Sequence, residues 1–261
     1  MSDPRTTPDP TRVSGSEAAQ IARPVVDLMR RPGGPRDRQL LLGADVTVMD
    51  RTDGWAYVQA AADGYCGFVR TTEVTAPLPL THRVIAPATH AYLDPDIKSP
   101  DRISLSHGSR VAATDRSGQF IETVHGHIPA QHVAPIDTLV ADPAELAALF
   151  IGTPYLWGGN SRFGIDCSGL VQAACTACGI PCPGDSDMQE RDLGDPLDPH
   201  TPLRRNDLVF WKGHVALVWD PQTLIHANAH AMAVVFEPLD SAIARIARTD
   251  GRITARRRLP A

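Results

Sequence analysis

The stretch GTPYLWGGNSRFGIDCSGLVQAACTACG, residues 152–179, holds three of the five cysteines of this 261-residue chain. Apolar and small residues recur after Cys167 with helical spacing, at Leu170, Val171, Ala174, Cys175 and Cys178. Gly179 and Pro181 end this pattern. The glycine-rich loop before Cys167 lets the backbone approach a bound molecule closely. The stretch therefore predicts a loop followed by a helix over 166–179, with Cys167 at its beginning.

Cys167 is a candidate nucleophile because of that position. A helix N-terminus favours a thiolate and offers free N–H groups to a developing oxyanion, so we expect a lowered thiol pKa. The alternative is a small buried side chain, which is the role that we expect for Cys175 and Cys178 on the apolar stripe. A zinc site at these two cysteines is disfavoured, since no second pair follows at zinc-finger spacing.

A nucleophilic cysteine also needs a base and a group that orients the base. Six of the ten histidines lie before residue 140 and favour surface or structural roles: His82, His90, His107, His125, His127 and His132. His214 begins the run HVALVWD, whose alternation puts it on one face with Ala216 and Val218. His226 follows in TLIHAN, so a hairpin can bring the two histidines together. The alternative is two polar residues packed on a half-buried sheet.

The segments YLWGGNSRFGIDCSGLV, NDLVFWKGHVALVWD and LIHAN together resemble the NlpC-type cell-wall cysteine peptidases, a bacterial branch of the papain-like fold. The aromatic-Trp-Gly-Gly stretch, the Asp-Cys-Ser-Gly helix start and the Gly-His-Val strand before a second histidine occur in the order of that family. The resemblance spans roughly residues 140–240. It implies that Cys167 is the nucleophile, His214 the base and His226 the polar residue that orients the base.

The sequence changes character near residue 140. Before it, short β-like runs are separated by turn signals at Asp53-Gly54, Asp63-Gly64 and Ser117-Gly118. After it come a helix capped by Asp142 and the strand-like runs DLVFW, HVALVWD, TLIHAN and AVVFEPL. We expect an α+β fold, in which a papain-like cysteine peptidase domain follows two small SH3-like β-barrel modules. The expected parts are a disordered leader (1–20), a first SH3-like module (21–78), a second SH3-like module (79–138) and the catalytic domain (139–261).

Composition limits the kinds of partner. The formal net charge of -5 disfavours nucleic acid, and apolar runs stay well short of the ~20 residues that span a bilayer. The first twenty residues lack an apolar segment of the signal-peptide type. Five cysteines, an odd number, suit reduced thiols. We therefore expect a cytoplasmic protein, unless an unconventional route exports it. The chemistry of a cysteine nucleophile requires neither a metal nor another cofactor.

The resemblance also implies a substrate. NlpC-type enzymes generally hydrolyse murein peptides, typically between γ-D-glutamate and the following diamino acid. One subgroup, with SH3-like modules and no export signal, resembles this whole chain and accepts short peptides with a free N-terminal L-alanine, as in murein recycling. The positions that this resemblance assigns to substrate binding are Tyr65, Trp157, Asp166, Ser168, Asp185 and Ser186.

Simpler roles compete with three of these assignments. Asp166 can N-cap the helix, Tyr65 can be an ordinary barrel aromatic, and Ser186 can be a loop or capping residue. The chain also departs from its relatives. Gly184 stands where an arginine is frequent, and an acidic residue expected after Leu-Leu-X-Gly is replaced by Ala44, with Asp45 next to it.

The resemblance thus favours a cysteine endopeptidase that cleaves the γ-D-glutamyl–diaminopimelate bond of murein peptides with a free N-terminal L-Ala. Another papain-like amidase or acyltransferase acting on γ-glutamyl compounds remains open, because fold and triad do not fix the acceptor. A non-catalytic wall-binding protein is the third hypothesis, since SH3-like modules often serve binding.

Overall fold

Strands dominate the first of two units into which the chain divides, Met1–Thr138 and Leu139–Ala261. The computed structural model describes residues 3–260. The border between the units coincides with the start expected for the C-terminal domain. Each unit is built from antiparallel sheets, and the second also contains four α-helices.

The first seven strands form one antiparallel sheet, in the order β3-β2-β6-β5-β4-β1-β7. Their bounds are β1 Glu17–Ile21, β2 Val25–Met29, β3 Arg36–Leu41, β4 Asp45–Thr52, β5 Trp55–Ala60, β6 Cys66–Arg70 and β7 Val74–Thr75. The Asp-Gly hairpin between β4 and β5 is confirmed, with φ of 50° at Asp53 and 78° at Gly54. Both angles lie in the left-handed region, where aspartate and glycine are the residues best tolerated.

A second set of strands occupies the rest of the first unit, in a five-stranded sheet (β10-β9-β14-β13-β12) and a three-stranded sheet (β11-β8-β15). These strands are β8 His82–Val84, β9 Ala88–Tyr92, β10 Asp101–Ser106, β11 Arg110–Val111, β12 Ala113–Ser117, β13 Phe120–Thr123, β14 Gly126–Pro129 and β15 Val133–Pro135. Short 3-10 helices lie at Pro10–Arg12, Thr71–Glu73 and Ala130–His132. The two β-rich segments expected from the sequence therefore form separate sheets.

The disordered leader expected over residues 1–20 is wrong for residues 3–20; Met1 and Ser2 lie outside the described residues. Strand β1 pairs with β4, and the Arg5 carbonyl accepts the Cys66 N–H at 2.7 Å. The Asp9 N–H donates to the Tyr57 hydroxyl at 3.0 Å. Most residues of the leader are exposed, although Ala19 and Gln20 are buried, and its backbone supplies hydrogen bonds that hold it.

A nearly buried ion pair stabilises the first sheet. Arg38 of β3 bonds Asp63 in the turn before β6, and their side chains are 6% and 5% exposed. We expect Asp63→Asn to lower the free energy of unfolding by about 3–5 kcal/mol, because it leaves a buried guanidinium without its counter-charge. Urea denaturation measures this. The matched control is Glu17→Gln, which breaks an exposed pair with Arg51 and should cost under about 1 kcal/mol. Equal losses in both variants would contradict the prediction.

The second unit contains the four α-helices, which are α1 Pro143–Ala148, α2 Cys167–Ala177, α3 Ser186–Asp192 and α4 Leu239–Ile246. Its strands are β16 Asn160–Ser161, β17 Gly164–Ile165, β18 Asp195–Pro196, β19 Asp207–Trp211, β20 His214–Asp220, β21 Thr223–Asn228, β22 Ala233–Pro238 and β23 Ala255–Arg258. Strands β16 and β17 form a small hairpin, and the others form an antiparallel sheet in the order β18-β23-β19-β20-β21-β22. Among the described helices, none has both the length and the apolar content needed to cross a membrane.

The main sheet of the second unit packs a different core on each face, as the alternation in HVALVWD predicts. Val215 and Leu217 join the cluster formed with α1 and α2. Ala216 and Val218 join the cluster formed with α4. Because side chains alternate along a strand, His214 belongs to the same face of β20 as Ala216 and Val218. It is the first residue of that strand.

Candidate active site

Asp166 caps the helix that begins at Cys167, so the capping interpretation of this residue is confirmed. Its Oδ1 accepts the Gly169 N–H at 2.7 Å and the Ser168 hydroxyl at 3.0 Å, and its Oδ2 accepts the Gly158 N–H at 2.8 Å. These bonds tie the glycine-rich loop to the first turn of α2. Cys167 is thereby held at the junction of loop and helix.

Glycine is required where α2 meets this loop. A Cβ atom at Gly169 would lie 2.5 Å from the Gly159 carbonyl oxygen, and a Cβ at Gly159 would lie 2.5 Å from the Gly164 carbonyl oxygen. Real Cβ atoms do not come so close to a backbone oxygen. The glycines of the Trp-Gly-Gly and Asp-Cys-Ser-Gly segments therefore set how closely the loop and the helix pack.

The Cys167 side chain is buried, and its surroundings correct one expectation. Burial, followed by the Asp166 carboxylate, raises the pKa of the Cys167 thiol to about 12. The backbone N–H groups of Val215, Ser168 and Cys167 itself act in the opposite direction without outweighing these effects. The lowered thiol pKa expected from the helix start is therefore wrong for this structure, because desolvation of a buried sulfur exceeds the stabilisation from helix-end N–H groups. The thiol carries its proton until a base removes it.

His214 lies close to this thiol, because it immediately precedes Val215, whose N–H faces the thiol. Its Nε2 lies 2.9 Å from Nδ1 of His226 on the neighbouring strand. The structure thus brings together the two histidines singled out in the sequence. Burial, followed by the charge of His226, lowers the pKa of His214 to about 3. The imidazole is therefore neutral at neutral pH, as a general base must be.

His226 contacts two further groups that sequence reasoning missed, and a third residue holds one of them. Its Nε2 lies 2.9 Å from Oε2 of Glu237 on β22 and 3.0 Å from Nδ2 of Asn228. Arg245 of α4 donates to both oxygens of Glu237, at 2.9 and 2.7 Å. The hydrogen bond from Arg245, followed by that from His226, lowers the pKa of Glu237 to about 2. The available signal was weak, since Glu237 and Arg245 stand outside the segments that carry the resemblance.

Tyr155, in the loop before Trp157, also lies in the electrostatic surroundings of the thiol. Burial, followed by the charges of Cys167 and Asp166, raises the pKa of this phenol above its usual value. Its hydroxyl therefore keeps its proton and can donate a hydrogen bond. The residue predicted from the sequence to contact the substrate is the neighbouring Trp157, which is 68% exposed, whereas Tyr155 was not predicted.

Two other predicted substrate contacts, Asp185 and Ser186, lie at the beginning of α3. Asp185 occupies the N-cap position without a side-chain cap hydrogen bond, and Ser186 is the first residue of the helix. The structure therefore does not make Ser186 the capping residue. Gln189 in the same helix donates to the Ser168 carbonyl at 3.0 Å. This bond fixes α3 against the first turn of α2. Contact of Ser186 with a substrate stays a prediction.

Tyr65 belongs to the first unit and is buried there beside the Arg38–Asp63 pair. The Arg38 guanidinium lies 5.1 Å from the Tyr65 ring centre, and the Tyr65 N–H donates to Asp63 Oδ1 at 3.1 Å. The carboxylate of Asp45 pairs with Arg110 at 2.9 Å and also accepts from Gln20. Asp45, the acidic residue next to Ala44, is thus engaged within its own unit. The substrate role of Tyr65 stays a prediction.

The remaining cysteines are not equivalent. All five are free thiols. Cys175 is completely buried in the core of the second unit, as expected. Cys178 instead forms the C-cap of α2 and is only half-buried, because the helix ends one residue before it. The apolar stripe therefore stops earlier than the sequence pattern suggests.

Two models of protein families match segments of the chain. Residues 152–248 match the NlpC/P60 family, and residues 28–74 match the bacterial dipeptidyl-peptidase SH3 domain. The first match includes Cys167, His214, His226, Glu237 and Arg245. The resemblance to NlpC-type cysteine peptidases with an SH3-like domain is thus confirmed, with one SH3 domain matched.

Curated relatives carry related names. The chain is 27% identical to a γ-D-glutamyl-L-lysine dipeptidyl-peptidase of Bacillus cereus, over 78% of this chain and 71% of that protein. It is also 27% identical to dipeptidyl-peptidase 6 of Lysinibacillus sphaericus, over 77% of this chain and 83% of that protein. A solved structure of an NlpC/P60 family protein from Bacillus cereus superposes with a TM-score of 0.79 at 22% identity, covering 94% of this chain and 100% of that one. This last likeness shows the fold. Together the comparisons support a cysteine peptidase of the NlpC/P60 type.

Proposed function

We infer that this chain, which joins a bacterial SH3 domain to an NlpC/P60 domain, is a cysteine endopeptidase that cleaves the γ-D-glutamyl–diamino-acid bond of short murein peptides. The observation that carries the proposal is the arrangement around one thiol. Cys167 begins a helix, the strand that begins at His214 faces it, and a second histidine lies 2.9 Å behind the first. A nucleophile, a base and an orienting group are the parts that covalent acyl transfer requires.

The protonation states of the site indicate how the reaction begins. The thiol holds its proton and His214 is neutral, so proton transfer to the imidazole accompanies the attack of sulfur on the γ-carbonyl of D-glutamate. A γ-glutamyl thioester forms as the protonated His214 donates its proton to the departing amine of the diamino acid. Water, deprotonated by the same histidine, then hydrolyses the thioester and restores the thiol.

Hydrogen-bond donors around the thiol suit the tetrahedral intermediate. The N–H groups at the start of α2 point toward the sulfur, and the Tyr155 phenol stays protonated in the same surroundings. A developing oxyanion next to the sulfur would accept from these donors, which are already oriented by the helix and the loop. We assign this role to the Cys167 N–H, with Tyr155 as an additional donor.

The substrate proposal rests on the relatives and on the resemblance. The name of the Bacillus cereus relative specifies a γ-D-glutamyl-L-lysine bond, which is the bond type expected here with either lysine or diaminopimelate as the diamino acid. Asp166, whose orientation is fixed by three hydrogen bonds, would place a negative charge beside the scissile region for a free L-alanine ammonium. Tyr65, Trp157, Ser168, Asp185 and Ser186 are the other proposed contacts. A cytoplasmic role in murein recycling accords with a short peptide substrate.

The test uses four peptides, L-Ala-γ-D-Glu-diaminopimelate and L-Ala-γ-D-Glu-L-Lys, each with a free or an acetylated N-terminus. We expect mass spectrometry to show cleavage after D-glutamate in the free peptides. Acetylation should lower kcat/KM by at least about 10²-fold, because it removes the charge that pairs with Asp166.

Each alternative has its own outcome in this assay. Equal turnover of free and acetylated peptides would remove the amine-recognition proposal and leave the bond specificity in place. Transfer of the γ-glutamyl group to an added amine, with little hydrolysis, would favour an acyltransferase. Absence of product from all four peptides would overturn the proposed substrate class.

A further inference from the structure

The hydrogen-bonded chain that begins at His214 continues beyond the second histidine. The His226 side chain is fully buried, with Nδ1 at 2.9 Å from His214 and Nε2 at 2.9 Å from Glu237 Oε2. The register of β21 and β22 explains this contact, because His226 lies opposite Val235 and Leu224 lies opposite Glu237. Glu237 is therefore the diagonal neighbour of His226 on the face that packs against α4.

Arg245 holds the Glu237 carboxylate in one orientation. It donates from Nε to Oε1 at 2.9 Å and from Nη2 to Oε2 at 2.7 Å. Such a two-bond pair fixes the plane of a carboxylate as well as its position. Because Arg245 lies on α4, this short helix is linked through Glu237 to the histidine pair.

The positions of the protons follow from what each atom can do. Nε2 of His214 is hydrogen-bonded to His226. Nδ1 is therefore the nitrogen that can accept the thiol proton, and it must be unprotonated. His214 Nε2 then carries a proton and donates to His226 Nδ1. His226 must in turn carry its own proton on Nε2, which requires an acceptor. Glu237 Oε2 is that acceptor.

Asn228 favours the opposite arrangement. Its Oδ1 accepts the Ala231 N–H at 2.7 Å, which turns Nδ2 toward His226 Nε2 at 3.0 Å. The amide cannot be reversed without placing two donors against each other at Ala231. Asn228 therefore offers a donor to the same nitrogen, and a donor there stabilises a bare Nε2. That tautomer would place a proton on His214 Nδ1 and leave no base for the thiol.

We infer that Glu237, oriented by Arg245, is a positioning residue that selects the Nε2–H tautomer of His226 and through it the base form of His214. The inference rests on the proposed cysteine peptidase reaction for its effect on rate. The selection of a tautomer is a property of the folded protein and is independent of any substrate.

Two other titratable groups lie near the hydrogen-bonded chain from His214 to Arg245, and both belong to neighbouring segments. The thiol of Cys167 lies beyond His214, on α2. Asp250, after α4, faces Arg245 and raises the pKa of that guanidinium, a smaller effect than the hydrogen bond to Glu237. The Glu237–Arg245 pair is neutral as a whole, so it directs protons by hydrogen bonding more than by net charge.

The first measurement is made on the wild-type protein without substrate. Two-dimensional NMR of protein labelled with ¹⁵N-histidine distinguishes the two neutral tautomers from the shifts of Nδ1 and Nε2, and a His226→Gln spectrum assigns the signals. We expect both His214 and His226 as Nε2–H tautomers at neutral pH. Finding His226 with its proton on Nδ1 would overturn the inference whether or not the protein cleaves murein peptides.

The second measurement uses Glu237→Gln. The amide has one oxygen, for which His226 must compete with a permanently charged guanidinium, so His226 should shift toward the Nδ1–H tautomer. We expect kcat to fall by about 10²-fold with KM little changed, and the NMR signals of both histidines to move. The control is Asp240→Asn, an exposed carboxylate on α4, which should leave both readouts unchanged. Wild-type kcat in folded Glu237→Gln would contradict the inference.

A double variant separates tautomer selection from a loss of folding. Asn228→Asp in the Glu237→Gln background keeps an oxygen for the Ala231 N–H and turns a second oxygen toward His226 Nε2. We expect kcat of this double variant to be at least about tenfold higher than that of Glu237→Gln. The Nε2–H signal of His226 should also be restored. If kcat of the double variant stays as low as that of Glu237→Gln while the NMR signals show the Nε2–H tautomer of His226, then Glu237 acts by packing alone. That result would overturn the inference.

Discussion

Replacing Cys167 by alanine is expected to lower the hydrolysis of γ-D-glutamyl peptides by about 10⁴-fold or more. The side chain supplies the sulfur that forms the thioester, and no nearby group replaces it in the proposed reaction. Serine at the same position should be nearly as inactive, because His214 must then deprotonate a much weaker acid. The measurement is kcat/KM with L-Ala-γ-D-Glu-diaminopimelate, followed by mass spectrometry.

The control for this variant lies on the same helix. Cys178→Ala makes the same substitution at a half-buried C-cap position and should retain wild-type kcat/KM. Circular dichroism of both variants should match the wild type, since a buried Cys→Ala change removes one atom from a small side chain. Substantial hydrolysis by folded Cys167→Ala would show that the reaction uses another nucleophile or proceeds without a covalent intermediate.

The second large effect is expected for His214→Ala, at about 10³-fold or more in kcat/KM. The thiol of Cys167 has a pKa raised to about 12, so only a vanishing fraction is thiolate at neutral pH when no base is present. An enzyme with a preformed thiolate would lose less activity in the same variant. The control is His230→Ala, which changes an exposed histidine in the turn after β21 and should leave kcat/KM unchanged.

The pH profile follows from the same surroundings. Protonation of His214 removes the base, so activity falls as the pH falls through its pKa. Because burial lowers that pKa to about 3, the acid limb of kcat/KM that belongs to His214 should lie far below the value of about 6.5 of an ordinary histidine. An acid limb close to 6.5 would show that His214 is solvated in the working enzyme and would weaken the proposed order of proton transfers.

Local pattern was sufficient for much of the fold. Strands β20 and β21, the Asp53-Gly54 hairpin and the cap of α1 at Asp142 all lie where the sequence places them. Each depends on neighbouring residues, through alternation, positive φ or a side chain that reaches the next turn. The leader was misjudged for the converse reason, because the strand and the side chains that hold it come much later in the chain.

The residues that can do chemistry are recognisable from the order of amino acids alone: a cysteine at a helix start, two histidines twelve residues apart on adjacent strands, and a glycine-rich loop. Spacing and residue type carry that information because they act over one helical turn or one hairpin. The protonation of those residues, in contrast, depends on how the whole domain folds. Burial, the Asp166 cap and the Glu237–Arg245 pair set the proton positions, and these depend on which distant groups exclude water from the thiol and the histidines.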